Sequence, residues 1–114
     1  MPISEAFAGS EAVSTTEWSC TTDTAGPDTQ TDDGVYQVFL DVSDMVLGDV
    51  LQVRIYEKVG SASTQRVVFE AILRDSQSEP VWVSPSLILI HGWDVTLNAL
   101  AGTITVDWSI RKVV

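Results

Sequence analysis

At 114 residues and 45% hydrophobic composition, the chain is long enough to form one globular domain with its own core, and its composition is unlike that of a disordered segment. Its formal net charge is −10, and the whole excess lies in residues 1–53, which contain ten acids and no Lys or Arg; residues 54–114 contain six of each kind. This charge excludes nucleic acids as expected partners, because affinity for a phosphate backbone comes largely from cations, and it favours a basic protein partner.

The first third of the chain predicts little regular structure. Residues 1–19 spread four hydrophobic side chains among small polar ones: Ile3, Phe7, Val13 and Trp18. This spacing leaves two interpretations open, either two short strands or an N-terminal arm over residues 1–12 followed by one strand. Residues 20–34 have almost no hydrophobic side chain, contain four aspartates and carry Gly-Pro and Asp-Gly turn signals. They predict a long acidic surface loop.

From residue 35 onward, apolar and polar side chains alternate with the period of two that is typical of β-strands. Residues 35–42 are apolar on nearly both faces, which predicts a central strand. The clearest alternation is at residues 103–111, where one apolar face consists of Ile104, Val106, Trp108 and Ile110. Further strands are predicted at 51–58, 65–73, 81–83, 87–91 and 93–98.

These segments amount to about eight strands and no long helix. The economical arrangement is an all-β fold, an antiparallel β-sandwich with jelly-roll or Greek-key connections, formed as a single domain over residues 1–114. A small closed β-barrel is the structural alternative.

Five strings resemble a recurring pattern in small structural proteins of tailed bacteriophages. They are TDDGVYQVFLD (31–41), GDVLQVRIYEK (48–58), TQRVV (64–68), SPSLILIHGWDVTL (84–97) and WSIR (108–111). The resemblance covers roughly residues 31–111, whereas the first 30 residues match no pattern of this family.

The resemblance implies a capsid decoration, or cement, protein of a phage head. Such a protein would have no catalytic residues and no cofactor, would bind the major capsid protein on the capsid exterior, and would act as a homo-oligomer such as a trimer. It would be made in the host cytoplasm, which fits the single cysteine and the absence of a signal-like N-terminus. No membrane is expected, because the longest apolar run has four residues and a membrane span needs about 20. Two other classes stay open: a carbohydrate-binding module or fibre-like host-attachment protein, and a small cupin-like or lectin-like enzyme.

Three features could indicate chemistry, and each has a simpler interpretation. His91 is the only histidine, and we interpret it as part of a turn that Gly92 makes possible, because no nucleophile or ligand cluster adjoins it. Cys20 has no base beside it in sequence, which predicts an inert thiol. The aspartates of residues 20–34 could supply oxygen ligands to calcium, but their spacing does not match an EF-hand, so we predict a solvated loop and no metal.

The four tryptophans bear on binding. Trp93 and Trp108 are in register with aliphatic neighbours, which predicts core positions, whereas an exposed row of aromatics would indicate carbohydrate stacking. Trp82 points opposite to its two valine neighbours and is the best candidate for an exposed interface anchor, with burial as the alternative. The predicted partner-binding residues are therefore Pro2, Ile3, Phe7 and Trp82.

Overall fold

The chain folds as two antiparallel β-sheets packed face to face, in a computed structural model that describes residues 2–114. Within these residues there are ten strands: β1 (Ile3–Val13), β2 (Trp18–Ser19), β3 (Thr24–Ala25), β4 (Gly34–Asp41), β5 (Val50–Glu57), β6 (Arg66–Arg74), β7 (Val81–Val83), β8 (Leu87–Leu89), β9 (Asp94–Ala101) and β10 (Ile104–Val113). The all-β prediction is confirmed. The strand number exceeds eight because β3 forms within residues 20–34, which were predicted to be a loop, and because residues 1–19 form two strands, β1 and β2.

The strand order is that of a jelly roll. Sheet A has the order β1-β10-β4-β7, with β8 also paired to β4, and sheet B has the order β3-β2-β9-β5-β6. The chain passes repeatedly from one sheet to the other, so that the first long strand pairs with the last, as in two nested Greek keys. The barrel alternative is wrong, because each sheet keeps its own edge strands. Within residues 2–114 no helix is long and apolar enough to cross a bilayer.

The core lies between the two sheets and follows the predicted alternation. In β4 the buried side chains are Tyr36, Val38 and Leu40, and β4 is flanked on both sides, as predicted for a central strand. In β10 the four residues of the predicted apolar face are all buried. Trp93 and Trp108 are buried as well, which confirms their predicted core positions.

The N-terminal residues form an edge strand. β1 pairs with β10 from Ile3 to Val13, with one register shift between Glu5 and Phe7. Gly9 is required where β1 crosses the ring of Trp108, because a Cβ on Gly9 would stand 2.5 Å from Trp108 Cζ2. Of the two interpretations left open by the sequence, the structure therefore has a strand, not an arm, over residues 3–12.

Candidate protein-binding surface

Four exposed aliphatic side chains form one continuous row across the outer face of sheet A. The strand register places Ile3 beside Val113, Val113 beside Val35, and Val35 beside Ile88. In that order along the sheet, Ile3, Val113, Val35 and Ile88 are 45%, 53%, 36% and 81% exposed. We call these four residues the aliphatic row. Neighbouring aliphatic side chains left in water on a flat sheet are typical of a protein-binding surface.

A shallow cavity of about 200 Å³ adjoins the aliphatic row on the same face. It is lined by three members of the row and by Phe39, Gln37, Ser86 and Arg111, among others. The Arg111 guanidinium lies 3.8 Å from the centre of the Phe39 ring, so a cation covers the aromatic face. Val83 is paired with Phe39, and Val81 with Asp41; both valines are exposed and extend the apolar surface along β7.

A hydrogen-bonded cluster fixes the beginning of β4 beside the row. Tyr36 Oη donates to an Asp32 carboxylate oxygen at 2.7 Å, and Lys112 Nζ lies 3.1 Å from the other oxygen. The Tyr36 hydrogen bond, followed by the Lys112 contact, lowers the pKa of Asp32 below its ordinary value. Burial, and then the same hydrogen bond, raise the pKa of Tyr36. These contacts hold the backbone next to Val35, which makes this part of the surface rigid.

Over β9, the outer face of sheet B is covered by the chain's own acidic segment. The Asp94 carboxylate is fully buried there: its Oδ1 accepts hydrogen bonds from Ser19 Oγ (3.0 Å), Thr21 Oγ1 (2.7 Å) and the Val95 amide (2.9 Å). Its Oδ2 accepts from the Asp28 amide at 2.7 Å. Burial raises the pKa of Asp94, and these hydrogen bonds oppose the increase. One carboxylate therefore ties both ends of residues 19–28 to β9.

A second carboxylate attaches the residue before β2 to the same face. Glu17 Oε2 accepts from Tyr56 Oη at 2.5 Å and from Thr96 Oγ1 at 2.6 Å. The segment 20–34 is mostly exposed, as the sequence predicted. It also contains β3, and hydrogen bonds attach it to sheet B at several points. Sheet A, by contrast, leaves its outer face open over the aliphatic row.

The residues considered for chemistry have structural surroundings. Cys20 is buried, and burial together with the negative charges of Asp94 and Asp23 raises the pKa of its thiol well above the ordinary value. A buried thiol with a raised pKa lacks the exposure and the thiolate character that reactive cysteines have. Gly92 has φ +46° in the turn after His91, in agreement with the predicted turn, and the backbone amide of His91 donates to Glu57 Oε2 at 3.1 Å. Among residues 2–114, no group of three or more His, Cys, Asp or Glu side chains is placed to hold a metal ion.

The four predicted partner-binding residues do not lie together. Pro2 and Ile3 are exposed, and Ile3 belongs to the aliphatic row. Phe7 is half-buried against Trp93, with ring centres 5.8 Å apart and nearly perpendicular planes. Trp82 is half-buried on the inner side of β7 and faces Phe69 of sheet B at 6.4 Å. Both aromatics are packed against the core, which leaves Ile3, at the β1 end of the aliphatic row, as the predicted residue that belongs to the row.

The remaining members of the row were not identified from the sequence. Val35, Ile88 and Val113 come from three distant parts of the chain and become neighbours only through the strand register. The only available signal was that the alternation of β4 and β10 assigns Val35 and Val113 to the non-core face. None of the nine aromatic side chains is fully exposed, so the row of solvent-facing rings expected for carbohydrate stacking is not present.

Comparison with known proteins gives similarity of fold to solved structures. No family model matches the chain, and no curated protein matches it. Among solved structures, it is similar to the Eiger TNF from S. frugiperda, with a TM-score of 0.47 and 11% sequence identity, over 96% of this chain and 86% of that chain. This similarity concerns the fold alone.

Proposed function

We propose that the chain is a non-enzymatic virion structural protein, a capsid decoration protein that binds the exterior of a tailed-phage head and stabilises it through protein–protein contacts. The observation that carries the proposal is the aliphatic row on an open sheet face. Burying such a surface between protein subunits contributes free energy in proportion to the apolar area removed from water, at about 25 cal/mol per Å². A decoration protein that adds such contacts shifts the capsid toward its assembled state by mass action.

The aliphatic row is assigned to contact between copies of this chain, in a symmetric homo-oligomer such as a trimer. Its four members carry no charge, so burying them against a second copy removes no charged group from water. The phage-like strings support the assignment to a head protein, since they cover β4, β5, β8 and the first half of β9. The major capsid protein is then the proposed partner, and the capsid exterior the proposed location.

Self-association is tested by a matched pair of substitutions. Ile3 on β1 and Ile72 on β6 are both isoleucines on edge strands, 45% and 43% exposed, but they belong to different sheets. We expect Ile3→Asp to shift the protein toward monomer in sedimentation velocity, because a carboxylate would be buried in the interface, and Ile72→Asp to leave the oligomer unchanged. A monomeric wild-type protein, or an equal effect of both substitutions, would contradict the assignment of the aliphatic row to contact between copies of this chain.

The function itself is tested on heads. Heads assembled with and without the gene for this chain are heated, and DNA release is followed with an intercalating dye. We expect heads that lack the protein to assemble and then to rupture at a lower temperature, with recovery when the purified protein is added back. Identical rupture temperatures would contradict the decoration function.

A further inference from the structure

We propose that the loop between β4 and β5, residues 42–49, is a preformed anchor that inserts Leu47 into an apolar pocket of a basic protein surface. This inference rests on the proposed function, since it identifies the basic surface as the capsid exterior. It concerns a different part of the molecule from the aliphatic row.

The tip of this loop exposes two adjacent aliphatic side chains. Leu47 is 86% exposed and Val46 is 61% exposed, so most of both side chains is in water. Met45, immediately before them, is buried in the core and fixes the base of the loop. The loop therefore has two apolar residues packed inward, Val42 and Met45, and two directed outward.

Hydrogen bonds close the tip into a turn. The Asp49 amide donates to the Val46 carbonyl at 3.1 Å, and the Val46 amide donates to the Asp49 carboxylate at 3.0 Å. Gly48 has φ +94°, which the third position of a type II turn requires. The Gly48 amide also donates to Asp75 Oδ1 at 2.8 Å. Leu47 is thus presented by a closed turn, which lowers the entropy lost when it is bound.

The loop is attached to its neighbours as well as closed on itself. The Asp75 amide donates to the Asp49 carbonyl at 2.8 Å, and the Thr105 amide donates to Asp44 Oδ2 at 2.8 Å. These bonds connect the loop to the β6–β7 connection and to the beginning of β10. An exposed aliphatic residue on such a rigid support fits the central anchor of an interface better than a mobile loop tip does.

The charge around Leu47 indicates the partner. Residues 41–49, 74–80 and 102–107 meet at this end of the sandwich, and they contain six acids and one base: Asp41, Asp44, Asp49, Asp75, Glu79, Asp107 and Arg74. The two ion pairs among residues 2–114, Arg54–Glu70 and Lys112–Asp32, involve none of these acids. An apolar tip at an end of the sandwich where six acids face one base, a net charge of −5, suits a pocket rimmed by Lys and Arg and is repelled by anionic lipid.

The experiment measures binding of the purified protein to heads that lack it, by co-sedimentation. We expect Leu47→Ser to weaken binding by at least about tenfold, as expected for loss of an interface anchor. Val59→Ser is the matched control, because Val59 is 90% exposed in the loop that follows β5, at the opposite end of that strand. It should change binding by less than about twofold. Raising the NaCl concentration should weaken wild-type binding, since salt screens the attraction.

The outcomes separate this inference from the proposed function. If wild-type protein binds heads and Leu47→Ser binds equally well, the anchor is overturned and the function stands. If wild-type protein does not bind heads, both are overturned. Binding that is independent of salt, or wild-type co-sedimentation with phosphatidylcholine vesicles that Leu47→Ser abolishes, would contradict a basic protein as the partner. Both variants lie at exposed positions, and unchanged melting temperatures will show that the fold is intact.

Discussion

The buried carboxylate of Asp94 gives the most specific prediction about stability. It accepts four hydrogen bonds, two of them from the backbone amides of Val95 and Asp28, which lie on different carboxylate oxygens. In Asp94→Asn, either orientation of the amide sets its NH2 group against one of these backbone N–H groups. A buried donor left without an acceptor costs about 1–3 kcal/mol, and the remaining hydrogen bonds also lose the strength that the charge gave them. The lower cost of burying a neutral side chain offsets part of this loss.

We therefore expect Asp94→Asn to lower the free energy of unfolding by about 2 kcal/mol, which corresponds to a decrease in Tm of about 8 °C for a domain of this size. The assay is thermal and urea unfolding followed by circular dichroism, with hydrogen exchange at the Asp28 amide as the local probe. Asp33→Asn makes the same charge change at an exposed position and should alter stability by less than about 0.5 kcal/mol. If Asp94→Asn is as stable as Asp33→Asn, the carboxylate does not hold residues 19–28 on sheet B.

Two further predictions concern the core and the pH dependence. Gly9→Ala should destabilise the fold by about 1–3 kcal/mol in urea unfolding, because its Cβ would overlap the buried Trp108 ring. The control is Gly60→Ala, whose Cβ would meet one atom at 3.4 Å. Equal stabilities of the two variants would contradict the packing account. Tyr36→Phe removes the hydrogen bond that lowers the pKa of Asp32, so this pKa should rise toward 3.8 in an NMR titration. A lowered folded-state pKa stabilises the protein above the unfolded-state pKa, and this stabilisation is lost as the pH falls. Wild-type protein should therefore lose more stability than Tyr36→Phe below about pH 4. Parallel pH profiles of the two proteins would refute this.

The sequence predicted the layers of the fold because burial imposes the alternation directly. The inner residues of β10 and the two core tryptophans were identified correctly, since each follows a period of two, whereas β4 was predicted only to be central. Short strands such as β2 carry no such signal. The two residues of β2 pair with β9 because hydrogen bonds to side chains far away in the sequence attach residues 17–30 to β9.

Asp94 shows the limit of the alternation rule. Its position between Trp93 and Val95 assigns it to the non-core face, which is correct, but that face is covered and the carboxylate is fully buried. The pattern predicts which side of a sheet a residue occupies, and it does not predict whether another segment covers that side. The same limit applies to the aliphatic row, whose members become a surface only through the register of four strands.

The structure does not bring the four predicted partner-binding residues together, for a related reason. Phe7 and Trp82 were selected as large hydrophobic side chains in short or polar segments, yet both close the edges of the core. Leu47, by contrast, is in a segment whose sequence fits either a helical turn or a wide loop, so its exposure depends on the turn that Gly48 permits. Exposure at loop tips is decided by tertiary hydrogen bonds, such as that from Gly48 to Asp75.

The central claim is that this chain decorates the outside of a phage head, and imaging of purified particles by electron cryo-microscopy tests it most directly. The account predicts jelly-roll density on the outer capsid surface, with the aliphatic rows of neighbouring copies in contact and residues 42–49 directed at the capsid. Density inside the shell or on the tail, or particles without this protein, would contradict it.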